Sequence, residues 1–360
     1  MRRDPRIVAA VVALLVAVGI AAFRITASGS NQPGRAGDQL LFRDDAAPEF
    51  AGLSRWFNAE PTTVRALRGK VVLIDFWTFS CVNCVRTFPE IRALHDTYKD
   101  AGLQVIGIHS PEFDFEKVPA NVERAMRSHS IVWPVAMDND HKTWEAFRNR
   151  FWPHVYLIDA KGRIRYDRVG EGGGEEIERA IRALLEEAGA TVPPPSDVSV
   201  KGPSVGITPE IYLGWLRGEQ QKFLGSESGF VRDEPHDYRV PVDMPAPGRG
   251  SAAFFLDGRW RATEEFVEVA ASGARIVLPF TARDVYVVAG PGSAAQGAVD
   301  VLLDGKPIDA ARAGSEVHSG RVALDRKDLF QLVSLDDVET HELVLRAASP
   351  GAVFYAFTFG

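Results

Sequence analysis

Apolar residues follow three successive patterns along this chain, and each predicts a different kind of structure. From Ile7 to Phe23 the run IVAAVVALLVAVGIAAF carries no charge, and Arg2, Arg3 and Arg6 stand before it. At 1.5 Å of rise per residue, a helix over these positions reaches about 25 Å, near the lower limit for crossing a bilayer. The basic flank keeps the N-terminus in the cytoplasm and places the rest of the chain outside it. A cleaved signal peptide has the same layout. However, Ile20-Ala21-Ala22 and Ile25-Thr26-Ala27 put a bulky residue where cleavage prefers a small one. The run is read as an uncleaved transmembrane anchor over residues 1–24, with a flexible Gly/Ser-rich tether over 25–39.

Between residues 40 and 190 continuous apolar runs alternate with helically spaced ones. VVLIDFW (Val71–Trp77) and LQVIGIHS (Leu103–Ser110) read as strands buried on both faces. RTFPEIRALHDTY, ANVERAMRSH and EEIERAIRALLEEAG read as helices, and VYLIDAKGRIRYDRVG as two strands around an Ala160–Gly162 turn. This order predicts an α/β domain around a central sheet. Pro193, Pro194 and Pro195 predict a stiff linker over 191–207. Beyond it, TPEIYLGWLRG reads as a helical turn or a docking segment. From about Gly250 short runs rich in Val, Leu, Phe and Tyr follow one another with turns between them, Asp304-Gly305 among them. This predicts an all-β sandwich or jelly roll within residues 208–360.

Length and charge sharpen this picture. A chain of 360 residues is too long for one typical core. The net charge of −7 argues against nucleic acid as a partner, because a phosphate-binding surface needs a basic excess.

The chain has two cysteines, Cys81 and Cys84, within DFWTFSCVNCVRTFP. They fall between a strand and a helix, where unpaired N–H groups and the positive end of the helix dipole favour a thiolate. On this reading Cys81 is exposed and easily ionised, and Cys84, one turn in, is within its reach. Haem attachment needs a histidine where Val85 stands, and the eight histidines do not pair at metal-ligand spacing, so neither a metal nor a cofactor is expected. A structural bridge over so short a loop removes little chain entropy. A peroxidase reading rests on Thr78, three residues before Cys81; peroxiredoxins carry a similar threonine but have a proline where this chain has Ile74. Pro89, five residues after Cys84, falls inside the helical pattern and bends it.

FWTFSCVNCVRTFPEI resembles the active-site stretch of the thioredoxin superfamily, and within it the exported, membrane-tethered TlpA/ResA-like reductases. The resemblance implies a thioredoxin-like fold and thiol–disulfide exchange, with Cys81 as nucleophile and Cys84 resolving. It implies a cis-proline opposite the dithiol, at Pro153 in NRFWPHVYLID, where Trp152 departs from the smaller residue of relatives. It also implies a glutamate near the cysteines, Glu112 in VIGIHSPE, able to take the proton of Cys84; Glu116 nearby leaves that choice open. Trp77, Val82, Asn83, Trp152 and Pro153 are the expected substrate-contact residues, and His109 a core or rim residue.

TPEIYLGWLRG, LFQLVSL and the ending GAVFYAFTFG resemble the exported C-terminal half of DipZ-type proteins. That resemblance implies a jelly roll of carbohydrate-binding-module, galactose-binding-like type, and protein disulfides as substrates. Since one helix stands here in place of a polytopic domain, it also implies a separate CcdA-like membrane electron donor. Trp215, Trp260, Tyr286 and Tyr355 are candidates for stacking on a glycan, although aromatics at strand spacing are more often core. The leading expectation is a membrane-tethered, extracytoplasmic thiol–disulfide oxidoreductase, most consistent with a reductase. The alternatives are a cell-surface carbohydrate- or protein-binding module whose two cysteines form only a structural disulfide, and a thiol peroxidase.

Overall fold

Strand β3 (Val71–Trp77) is buried at all seven positions, as its unbroken apolar sequence requires. It pairs in parallel with β4 (Leu103–His109), which pairs in parallel with β5 (Val135–Met137). On its other side β3 runs antiparallel to β6 (His154–Ile158), which forms a hairpin with β7 (Arg163–Val169). Short strands β1 (Asp45–Ala46) and β2 (Arg55–Phe57) close the edges of this seven-stranded sheet, whose order is β1-β7-β6-β3-β4-β5-β2. The computed structural model describes residues 43–196, 206–226, 228–242, 252–293 and 297–360. The expected anchor, the tether and linker residues 197–205 lie outside the described residues. Among the described residues no helix is long and apolar enough to cross a membrane.

The two faces of β3 have different partners. Val72, Ile74 and Phe76 point into a cluster with Val64, Phe147 and Tyr156. Trp77 points the opposite way and meets Phe88 of helix α1 (Val82–Tyr98) edge to face at 5.2 Å. Asp75, two residues before Trp77, shares that face. Helices α2 (Pro119–Ser128), α3 (Lys142–Ala146) and α4 (Gly174–Glu187) complete this thioredoxin-like part.

The C-terminal part is β-rich, as expected, but its strands are longer than the turn signals suggest. ARIVLPF and RDVYVVAG lie in one strand, β12 (Arg275–Pro291). LFQLVSL and HELVLRA lie in another, β16 (Asp328–Ala347). The two pair along almost their whole length, with register shifts between Ala282 and Asp284 and between Val285 and Tyr286. These irregularities bend the ladder where the polar stretches TARD and DDVET stand, so the strands turn without breaking.

Strand β12 pairs first with β10 (Phe255–Ala262) and later with β17 (Ala352–Phe359), and β11 (Val267–Val269) joins β10 to β17. This closes a circuit of strands around a core that contains Trp260, Phe354 and Phe357. Trp260 is 1% exposed and donates its indole N–H to the Asp257 carbonyl.

TPEIYLGWLRG supplies the two-residue strand β8 (Ile211–Tyr212), paired with β17, and the short helix α5 (Trp215–Gln220). Gly214 between them is required by close approach: a Cβ there would lie 2.3 Å from the Glu265 carbonyl carbon. The segment is thereby pressed against the β-part and fixed in place.

That docking reaches the thioredoxin-like part. The Tyr355 ring lies 5.0 Å from Phe113 and 4.9 Å from Phe115. Both phenylalanines sit in the loop after β4, where the alternation in PEFDFE turns Phe113 and Phe115 inward. Glu265 accepts from the Asp114 backbone N–H at 3.2 Å, and Arg86 of α1 donates to the Phe359 carbonyl at 3.4 Å. The C-terminal part therefore packs on the end of the first sheet that carries the cysteines.

Candidate active site

Helix α1 begins where the chain leaves β3, and Cys81 is its N-cap residue with extended dihedrals. Its sulfur accepts the backbone N–H of Cys84 at 3.2 Å, satisfying one of the free donors of the first turn. Both cysteines are free thiols; Cys81 is half-buried and Cys84 buried. Pro89 lies inside α1, exposed.

The ionisation of Cys81 differs from the sequence expectation. Burial pushes its thiol up, and the carboxylates of Glu210 and Glu112 act in the same direction. The Cys84 thiol and N–H oppose them without prevailing. The helix terminus favours a thiolate, but partial burial opposes it and the C-terminal part brings the negative charge of Glu210 to the site. Cys84 is pushed well above the ordinary thiol value by burial, then by its neighbour Cys81, with Asp75 adding to the rise.

Asp75 is the residue that sequence reasoning missed. It is 0% exposed, and neither carboxylate oxygen has a hydrogen-bond partner among the described residues. Burial raises its pKa to about 7. It lies on the α1 face of β3 and acts electrostatically on Cys84, so it is a carboxyl able to take up that thiol's proton near neutral pH. The available signal was a single charge in an otherwise apolar buried strand, VVLIDFW.

The two glutamates of the loop after β4 part company. Glu112 accepts from Arg217 at 2.5 Å and from the Tyr212 hydroxyl at 2.8 Å, both groups of the C-terminal part. Glu116 is fully buried and accepts from the Ser80 hydroxyl at 2.5 Å and the Phe113 N–H at 3.0 Å. Burial, then Glu112, raises the Glu116 pKa to about 7. Glu112 is thus anchored to the β-part, and the carboxyl that acts on Cys84 is Asp75.

The expected contact residues are divided. Trp77 is 0% exposed, wedged under α1 between Phe88 and His109, and Val82, the first residue of α1, is 2% exposed; neither offers a surface to a partner. Asn83 is half-buried beside Cys84. The Trp152-Pro153 bond is cis. Trp152 is half-buried, donates to the Ser110 carbonyl at 3.0 Å and lies 4.3 Å from the Trp144 ring. His109 is a core residue, contacting the Thr78 hydroxyl at 3.3 Å; burial lowers its pKa to about 3, so it stays neutral.

Comparison with known proteins fits this geometry. A profile described as the AhpC/TSA family matches residues 44–167, and one described as thioredoxin like C-terminal domain matches residues 208–360. The thiol-disulfide oxidoreductase YkuV of Bacillus subtilis is 31% identical over 140 residues, which cover 39% of this chain and 94% of YkuV. The chain belongs to the TlpA/ResA-like thiol–disulfide oxidoreductases of the thioredoxin superfamily.

Within this family it is also related to protein DipZ of Mycobacterium bovis, 36% identical over 321 residues. The match covers 87% of this chain but 43% of DipZ, so the chain spans less than half the length of that relative. The NHL repeat-containing protein 2 of Bos taurus is 36% identical over 138 residues, covering 38% of this chain and 19% of that protein.

Proposed function

We propose that this protein reduces protein disulfides outside the cytoplasm through Cys81 and Cys84, tethered to a membrane by Ile7–Phe23. The observation that carries this reading is the arrangement of the two thiols. Cys81 is the half-exposed N-cap of α1, and the buried Cys84 lies directly behind its sulfur. The Cys81 thiolate attacks one sulfur of the substrate disulfide, forming a mixed disulfide and releasing the other substrate sulfur as a thiolate, which takes up a proton. Asp75 accepts the proton of Cys84, whose thiolate attacks Cys81. The second substrate sulfur leaves, and Cys81 and Cys84 end as a disulfide. Two electrons must then return from a separate donor, proposed to be a membrane protein of CcdA type.

The raised pKa of Cys81 supports the reductase direction, because strongly oxidising dithiols need a stabilised thiolate. Asn83, Trp152 and Pro153 form the proposed rim for an incoming peptide, and Glu112 holds the docked C-terminal part beside it. That part is proposed as a jelly roll of galactose-binding-like type within residues 208–360, joined by the linker to the thioredoxin-like domain of residues 40–190. A docking role suits it better than glycan binding, since its candidate aromatics are engaged. Trp260 is core, Tyr355 packs on Phe113 and Phe115, and Arg86 and Arg232 lie over the rings of Tyr286 and Trp215.

Cys84→Ser tests the exchange. The variant is expected to accumulate mixed disulfides with a substrate such as insulin, joined to Cys81 and released by dithiothreitol. Absence of any adduct while Cys81 remains a free thiol contradicts the reading.

A further inference from the structure

The redox centre of the thioredoxin-like part is bordered by four groups that are far apart in sequence. Glu112 comes from the loop after β4; Glu210, Tyr212 and Arg217 come from the segment that opens the C-terminal part. The Tyr212 hydroxyl lies 2.8 Å from a Glu112 carboxylate oxygen and 2.7 Å from a Glu210 carboxylate oxygen. Arg217 holds the same Glu112 oxygen at 2.5 Å, and its guanidinium lies over the Tyr212 ring at 4.2 Å.

A phenol carries one hydrogen and cannot donate to two carboxylates at once. Arg217 fixes Glu112 as the ionised partner, so the Tyr212 hydroxyl donates to Glu112. The remaining close oxygen pair, Tyr212 with Glu210, then needs its own hydrogen, and only a protonated Glu210 supplies one.

We propose that Glu210, brought by the C-terminal part, keeps a proton that it shares through Tyr212 with Glu112, and that this proton governs how readily Cys81 ionises. Glu210 is a positioning residue acting on the charge around Cys81; the inference rests on Cys81 being the exchange nucleophile. With the proton in place, the group facing Cys81 is neutral. When Glu210 releases it to solvent, a second negative charge joins Glu112 beside the sulfur, and forming the thiolate becomes harder. The charged and titratable groups around Glu210 are Glu112, Tyr212 and Arg217, and Cys81 is the thiol they face; Glu116 stands behind Glu112. Crowding by the neighbouring side chains, then Glu112, pushes the Glu210 pKa up. Glu210 is nevertheless an exposed residue, and water limits the rise.

The pairing separates this device from simple packing. A merely structural contact changes the access to Cys81 equally at every pH. A shared proton changes the reactivity of Cys81 only over the range in which Glu210 titrates, and two substitutions move it in opposite directions.

The test uses the full chain, reduced, with iodoacetamide as the probe and peptide mass spectrometry to follow Cys81 between pH 5.5 and 9. Glu210→Gln cannot gain the charge. Its Cys81 is expected to react as the unaltered protein does near pH 6 and about threefold faster near pH 8.5, the factor for half a pKa unit. Tyr212→Phe keeps the ring but removes the bridge, so Glu210 ionises at lower pH. Its Cys81 is expected to react about threefold more slowly near pH 6.5, the same half-unit factor. A ratio that stays constant across pH for Glu210→Gln, or both variants shifting in one direction, overturns the proposal while leaving Cys81 as nucleophile. A Cys81 that reacts with no reagent at any pH in the unaltered protein overturns both.

Discussion

Cys81→Ser is expected to lower the rate of insulin reduction, with dithiothreitol as terminal reductant, by about a thousandfold or more, because a hydroxyl does not attack a disulfide sulfur at neutral pH. The structure explains why no residual route remains. Cys84 sits in the first turn of α1 on its inward face and is 0% exposed, so an external disulfide cannot reach it. The two cysteines are therefore not equivalent. Loss of Cys84 leaves the first half of the reaction intact and stops the second, whereas loss of Cys81 stops both. A Cys81→Ser protein that keeps more than a tenth of the activity would show that Cys84 is reached directly and that the assigned order of attack is wrong.

Asp75→Asn is expected to separate catalysis from stability. The amide cannot accept the proton of Cys84, and resolution of the mixed disulfide should slow by about a hundredfold, the usual contribution of a placed general base. Rapid-mixing measurement of product release, with Cys81 alkylation unchanged, identifies the affected step. Stability should move the other way. The Asp75 pKa rises from the ordinary 3.8 to about 7 on folding. The folded protein therefore holds a proton that the unfolded chain releases between about pH 4 and 7. The fold is most stable below that window and weakens as pH rises through it. The gap corresponds to roughly 4 kcal/mol above pH 7. A buried asparagine without partners has its own cost, about 2 kcal/mol at every pH, so the net gain at pH 8 is expected to be about 2 kcal/mol, and at pH 4, where the gain from the lost ionisation is nearly absent, the variant is expected to be the less stable by between about 1 and 2 kcal/mol. Glu116, raised to about 7 by burial and Glu112, adds to the same pH dependence in both proteins and does not alter the comparison. Urea midpoints of the two proteins at pH 4 and pH 8 supply the check; an equal difference at both values contradicts an ionised, buried Asp75.

Much of this arrangement was legible in the residues. VVLIDFW, LQVIGIHS and VYLID announce the central strands by continuous burial, and the helical spacing after Cys84 announces α1. The dithiol at that junction points to its chemistry without any knowledge of packing. Features that depend on the meeting of distant segments were not legible. Glu112 and Glu116 differ by four positions in one loop, yet one is claimed by Arg217 and the other by Ser80, and no local rule separates them. Trp77 looks like a surface aromatic beside the cysteines and is buried only because α1 folds back over it. The ionisation of Cys81 was misjudged for the same reason: a helix terminus is a local property, while burial is set by packing and the carboxylate of Glu210 comes from 129 residues further along the chain. In the C-terminal part, alternation and turn residues announced strands, but only pairing shows that β12 and β16 run through their polar middles.

The account depends on Cys81 and Cys84 forming and breaking a bond with each other reversibly. Equilibrating the full chain in buffers of reduced and oxidised dithiothreitol, then counting alkylated cysteines by mass, measures this directly. The predicted result is a single two-electron transition, the same from the reduced and the oxidised side, in which both thiols disappear together. A bridge that resists reduction across the whole range, or two thiols that never join, would contradict it.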